Sequence, residues 1–224
     1  MMRNVTPEKR KEGIRESKEI KLPEKFDLVA ILEHFDSSSE TIKLLSNDIE
    51  NLDSSKIQNI YRSQIVFFAS LLDFYMHEIC KYMFVKELEN GKDTSKEFKD
   101  ITIRMEYVVA AIESNNYKDV LLEVYNEMIA SKTYLSQKEI KNVIKFCNLK
   151  YNSVTEEAFK NIPNPSERTD LLVKLYKRRN EIAHQFDKSH VDAKQASITK
   201  KETDEYMEHI TNLVHAIHSE LTKP

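Results

Sequence analysis

Two glycines in 224 residues, Gly13 and Gly91, are the strongest constraint on this chain, and only five prolines accompany them. Hairpins and bulges lean on glycine because it takes positive φ without steric cost. A chain this poor in glycine makes few tight turns, so it folds into long helices joined by short connections. Apolar residues make up 40% of the chain, enough for a real core, and charged residues make up 32%. The net charge of −3 excludes a generic polyanion binder. Any contact with RNA has to run through a local basic patch.

Cys80 and Cys147 are the only cysteines. Two distant thiols make neither a disulfide framework nor a zinc pattern, and both are expected reduced in the core of a cytoplasmic protein. No N-terminal apolar region resembles a signal peptide. No uncharged run is long enough to span a bilayer, so no membrane contact is expected. There is no Gly-rich phosphate loop, no nucleophile motif and no metal-ligand cluster, so neither cofactor nor metal is expected.

Residues 1–24 are charged and poor in apolar positions, which predicts a mobile tail or a loosely docked helix ending at Pro23. A single helical domain then spans 25–224. Its first amphipathic helix fits Phe26 to about Leu52, with a break expected at Ser37-Ser38-Ser39. Ser54-Ser55 read as the cap of a long second helix, from Lys56 to about Leu88, which stops near Asn90-Gly91. Its centre, IVFFASLLDFYM, is apolar on nearly every side. A helix of that kind is buried all round. Residues 93–165 form a helical insert, with periodic segments at Ile101–Glu113, Tyr117–Ala130 and Gln137–Phe146. Ser136 with Glu139 has the order of a capping box. After Pro163 and Pro165, Ser166 is expected to cap a helix to about His184. Asp187 to Ser197 reads as a polar loop. The last helix starts behind Thr199 and Glu202 and runs to about Leu221, with Tyr206, Ile210, Leu213, Val214 and Ile217 as its apolar stripe.

The penultimate helix, SERTDLLVKLYKRRNEIAHQFD, carries the chemistry. At about 100° per residue, Leu171, Leu172, Leu175, Tyr176, Ile182 and Ala183 share one face. Arg179 falls near the middle of that face, while Arg178 points to the solvent side with Lys174. Burying a guanidinium is costly unless a partner or ligand compensates it. Arg179 therefore either pairs with an internal carboxylate, snorkels at the edge of the core, or awaits an anion. Asn180 and His184 are four apart and stack on one flank. Arg179 and His184 stand about 140° apart on a regular helix.

RRNEIAHQFD resembles the signature of the HEPN superfamily, an Arg followed after a short spacing by His, often R-N-x-x-A/V-H. The central helix ASLLDFYMHEICKYM resembles the corresponding helix of the RiboL-PSP-like HEPN group. The resemblance implies an up-and-down helical bundle with a buried central helix, dimerising so that two motifs meet. It implies a metal-independent endoribonuclease, often in toxin or antiviral defence systems, with RNA as substrate and an antitoxin or another defence-system protein as partner. Other members of the superfamily keep the fold and bind without cleaving, which leaves a non-catalytic module for nucleic acid, nucleotide or a protein as the alternative. Arg179, Asn180 and His184 match the motif positions, and Arg178 satisfies the looser spacing. Cleavage through the 2′-OH needs proton transfer, for which His suits neutral pH, and cationic donors on the phosphate.

Four further residues stand as supporting candidates. Asp73 and His77 lie on one line of the central helix with Ser63, Ser70 and Lys81, either as a narrow wet face or as partners reaching Arg179. Glu78, off this line, is a second candidate partner for it. Lys177, with Lys174, Arg178 and Lys188, forms either the local basic patch or a solvated helix face. His215 and His218 have a helical ligand spacing, but with no carboxylate–Cys cluster beside them they read as surface histidines.

Overall fold

The computed structural model describes residues 27–47, 49, 51–91, 94–114, 116–189 and 194–223. The tail at 1–24, the boundary at Pro23 and the helix start at Phe26 lie outside the described residues. Among the described residues the chain runs α1 (Leu28–Leu44), α2 (Ser54–Asn90), α3 (Lys96–Lys99), α4 (Met105–Glu113), α5 (Tyr117–Ile129), α6 (Gln137–Phe146), α7 (Tyr151–Ala158), α8 (Pro165–Gln185) and α9 (Lys200–Thr222). No strand occurs among them; Lys188 and Gln195 form one isolated antiparallel bridge. The all-α architecture expected from glycine scarcity is what forms.

α2 is the centre of the fold. Asp53 caps it by accepting the Lys56 N–H at 2.9 Å, in place of the serines that follow it. Gly91 ends it at φ 62°, where a Cβ would be strained. α1 passes through Ser37–Ser39 without the expected break. The Ser37, Ser39 and Thr41 hydroxyls bond back to carbonyls one turn earlier, so no polar group competes with the helix. α1 ends at Leu44, well short of Leu52.

Side-chain contacts fix the directions. Gln64 Nε2 donates to the Ile42 carbonyl at 3.0 Å, and Phe35 meets Phe68 and Tyr75 edge-on, so α1 runs antiparallel to α2. Asp187, just past α8, pairs with Arg62 at the start of α2, and Leu172 and Arg179 line one cavity with Ala69 and Leu72, so α8 is antiparallel too. Arg62 also donates to the Ala196 carbonyl just ahead of α9, and Tyr75 Oη meets the Val214 carbonyl at 3.5 Å, so α9 runs parallel to α2. The result is an up-and-down bundle of α1, α2, α8 and α9.

The insert builds on the second half of α2. The Phe84 ring stacks on Tyr125 of α5 at 4.2 Å, and Tyr125 stacks on Phe146 of α6 at 6.0 Å. Ser136 caps α6 as expected, accepting the Glu139 N–H at 3.2 Å. α4 starts at Met105, later than Ile101, and the short helices α3 and α7 are additions to the expected elements. α8 begins on Pro165 behind an Asn164 cap, displacing Ser166 from that role. Proline suits the first helical position because its missing N–H is an orphan there anyway. Buried Arg168 closes the turn before it, donating to the Ile162 and Pro163 carbonyls at 2.8 and 2.7 Å.

Cys80 and Cys147 are free and buried. Burial pushes the Cys80 thiol up to about 12 and raises Cys147 as well, so neither is a reactive thiolate. The expectation that the centre of α2 is buried all round fails along one face, where Phe67, Ser70 and Phe74 are exposed. Ile65, Phe68, Tyr75 and Met76 are fully enclosed, but Phe67 is 49% and Phe74 45% exposed, seven residues apart on the outer face. Among the described residues, no helix is long and apolar enough to cross a membrane.

Candidate functional site

α8 presents its motif where the helix stops. Phe186 caps it at φ 51° and Asp187 follows at φ 58°, two consecutive left-handed residues. Such a position costs an L-residue about 1–2 kcal/mol, less for Asp. The Asp187 N–H bonds back to the Glu181 carbonyl at 2.9 Å, which satisfies a carbonyl of the last turn.

Asp187 is not the surface residue that a polar loop predicts. It is 5% exposed. Arg62 Nε reaches its Oδ2 at 2.9 Å, and both Nη atoms of Arg178 donate to the same carboxylate. Arg178 Nε donates to Glu202 of α9 at 2.8 Å. The Asp187 carbonyl accepts the Ala196 N–H at 2.8 Å. Arg178 is therefore misplaced by the helical wheel: it does not stand in solvent but ties α8 to α9 and to the helix exit. Burial works against its charge, yet the hydrogen bonds and charge of Asp187, then Glu202, outweigh that and raise its pKa.

Arg179 has a different environment. It is half-buried, and its Nη1 donates to the Asn180 Oδ1 at 3.0 Å. Its Nε is buried and, among the described residues, has no hydrogen-bond partner. It borders a cavity of about 10 Å³ whose walls include Leu72, Tyr176 and Tyr206. Burial pushes the Tyr206 phenol up, and the charge of Arg179 partly offsets this. No carboxylate in the described residues pairs with Arg179.

His184 is exposed in the last turn of α8, with no side-chain partner among the described residues. Asn180 lies one turn before it on the same flank. Arg179 and Asn180 are thus brought together, while His184 projects from its own side of the helix. Leu172 and Ile182 are buried as expected, but Ala183 is exposed.

The supporting candidates are not brought to Arg179. Asp73 accepts from the Tyr134 N–H at 2.5 Å and the Thr133 hydroxyl at 3.3 Å. His77 meets the Lys132 carbonyl at 3.3 Å and packs on the Tyr134 ring. Glu78 pairs with Lys81 at 2.6 Å. These side chains hold the loop after α5 or each other. Lys177 is exposed and lies 3.7 Å from Glu181. Lys174 and Lys188 are exposed as well, and Lys188 sits over the Phe186 ring. Asp187, Arg62 and Glu202 belong to the site's framework, although the sequence places Asp187 only in a polar loop and Glu202 only at a helix start, and marks Arg62 not at all. The one available signal was a pair of adjacent arginines followed closely by an Asp.

Among the described residues, no cluster of His, Cys, Asp and Glu has the grouping a metal ion needs. At the motif, among the described residues, the chain offers one guanidinium without a carboxylate partner, the exposed His184 imidazole and the Asn180 amide between them. Such a set can neutralise an anionic phosphate and move one proton. No curated protein and no solved structure matches the chain significantly. The RiboL-PSP-HEPN family matches it over residues 15–223, from ahead of α1 to the end of α9. The match takes in both the central helix and the RNEIAH block, and the chain belongs to the RiboL-PSP-HEPN family.

Proposed function

We propose that the protein is a metal-independent endoribonuclease of HEPN type, acting as a homodimer in a toxin or antiviral defence system. The observation that carries this reading is the contrast between two adjacent arginines. Arg178 is saturated by Asp187 and Glu202, whereas among the described residues Arg179 keeps a buried Nε without a partner and pairs with no carboxylate. A half-buried cation left uncompensated is suited to an anion supplied from outside. Arg179 would take the scissile phosphate, Asn180 would orient the guanidinium, and His184 would transfer a proton.

Cleavage by this route attacks phosphorus with the adjacent 2′-OH, breaks the P–O5′ bond, and leaves a 2′,3′-cyclic phosphate and a 5′-OH. It needs a base at the 2′ oxygen and an acid at the 5′ oxygen. One chain has one imidazole at the motif, so the reading requires a second copy. The apolar side chains left exposed on the two helices support that pairing: Val173 and Ala183 on α8, Phe67 and Phe74 on α2. Light scattering should therefore give twice the chain mass, and Phe67→Glu with Phe74→Glu should give monomers that no longer cleave. Full activity in a monomer would sink the composite site.

The expected cleavage proceeds in excess EDTA at the rate seen with Mg²⁺. Activity abolished by EDTA and restored by Mg²⁺ would rule out a proton-transfer site of this kind. Total RNA is the substrate for this assay, and the ends of the fragments report the mechanism. An antitoxin or other defence-system protein as inhibitor, and a cytoplasmic location, belong to the same proposal. If folded dimer binds RNA and leaves it intact, the non-catalytic binding module takes its place.

A further inference from the structure

At the end of the bundle away from His184, α1, the end of α7 and the last turns of α9 enclose a groove of about 630 Å³. Its walls carry His215, His218, Asn161, Asn212 and Ser219. The charged groups around it are already matched. Asp36 of α1 accepts from His215 Nε2 at 2.8 Å, and Glu157 pairs with Lys160 at 2.7 Å. Among the described residues, the Asn161, Asn212 and Ser219 side chains make no hydrogen bond, and His218 Nδ1 is buried without a partner. The unmatched capacity is thus rich in donors: two amides, a hydroxyl and an imidazole, with Lys160 at the rim. A hydrophobic ligand has nothing to gain there, because only Leu32, Ala158 and Ala216 are apolar. A metal ion lacks a third ligand of suitable grouping.

We propose that this groove is an oxyanion site that takes a phosphate group, held by His218, Asn161, Asn212 and Ser219. A tetrahedral oxyanion can accept from several donors arranged around it in three dimensions. Lys160 is largely exposed and can turn from Glu157 to the ligand without leaving a buried charge. The site is separate from Arg179 and His184 and does not depend on the ribonuclease reading.

The groove also dictates how binding responds to pH. Burial lowers the His218 pKa, the charge of His215 lowers it further, and Asp36 partly restores it. Of the groups facing it, Asp36 sits on α1, Glu157 and Lys160 come from the α7 end, and His215 from α9 itself. A bound dianion favours imidazolium, so binding takes up a proton and tightens as pH falls.

The test follows the histidine ring signals of the full chain by NMR during titration with inorganic phosphate, and with sulfate, whose charge is constant over the pH range. Expected are saturable shifts of His218 and, for sulfate, affinity about threefold higher at pH 6 than at pH 8, since a one-unit rise in a His218 pKa that starts below the usual value gives only part of the full tenfold over that range. His218→Gln should abolish saturation. Asn212→Ala, at an exposed position, should weaken it severalfold even if the histidine variant fails to fold. Adenosine monophosphate set against adenosine identifies the source. Tighter binding than phosphate for the monophosphate, with none for adenosine, means a phosphate monoester; equal binding means the free ion. Shifts no larger than those from sodium chloride at matched ionic strength overturn the proposal. Running the titration on His184→Ala as well separates this outcome from failure of the RNA cleavage.

Discussion

Arg179→Ala and His184→Ala are each expected to lower RNA cleavage by about 10²–10⁴-fold while the protein stays folded. The two losses come from different steps. On the proposed mechanism Arg179 would meet charge as it builds on the phosphate, and His184 would move a proton. Their effects should not multiply in the double variant, because each acts in one assembled unit. The stability side of the same experiment is equally informative. Among the described residues Arg179 pairs with no carboxylate, so its removal strands no described buried anion. The melting temperature should therefore hold or rise, the opposite of what a structural arginine would show. A clear drop in melting temperature for Arg179→Ala, or full cleavage by either variant, would remove the catalytic assignment and favour the binding module.

The largest loss of stability is expected at Asp187. Asp187→Ala leaves Arg62, 4% exposed, and Arg178 without their shared carboxylate. Removing one partner of a buried pair typically costs about 3–5 kcal/mol. For a chain of this size that lowers the melting temperature by about 10 °C. Arg178→Ala should cost less, because Arg62 still meets Asp187 and Glu202 can turn to water. It should nevertheless cost more than a surface lysine such as Lys174→Ala. Thermal unfolding followed by circular dichroism checks both, and a shift within about 2 °C for Asp187→Ala would mean that water replaces the lost charge.

These two predictions separate what was legible in the sequence from what was not. α2, α5, α6 and α9 stand close to where periodicity and caps put them, because long repeats and cap side chains are local signals. α7 is only eight residues long and mostly polar, so its periodicity is too brief to read. The apolar centre of α2 misled in one respect. A helix apolar on every side has to be covered, but by a neighbour in the same chain only if there are enough of them; Phe74 meets only the His34 ring at 4.9 Å among the described aromatic contacts, and both Phe67 and Phe74 stay about half exposed.

The two arginines show a deeper limit. A helical wheel assigns Arg178 to solvent because it counts only the face of its own helix. Its actual partners come from past the helix end and from the first turn of α9. The carboxylate is buried only because Arg62, 125 positions away in sequence, closes over it. No local pattern encodes that distance. Arg179 was correctly singled out as a cation in an apolar stripe. Its expected carboxylates, Asp73 and Glu78, are engaged elsewhere, and that leaves it open to a ligand.

The bond between Arg62 and Asp187 also sets an order of events during synthesis. α1 and α2 leave the ribosome first, and the apolar surface of α2 that Leu172, Ile210 and Leu213 later cover stays bare while the whole insert is made. Contacts this distant in sequence close last. The helix that carries Arg179 and His184 is tied to α9 through Arg178 and Glu202, so the turn that carries the motif is among the last parts to form. A ribosome that stalls within residues 93–165 leaves a chain with an uncovered central helix and no motif at all. Such fragments are sticky substrates for chaperones and proteases.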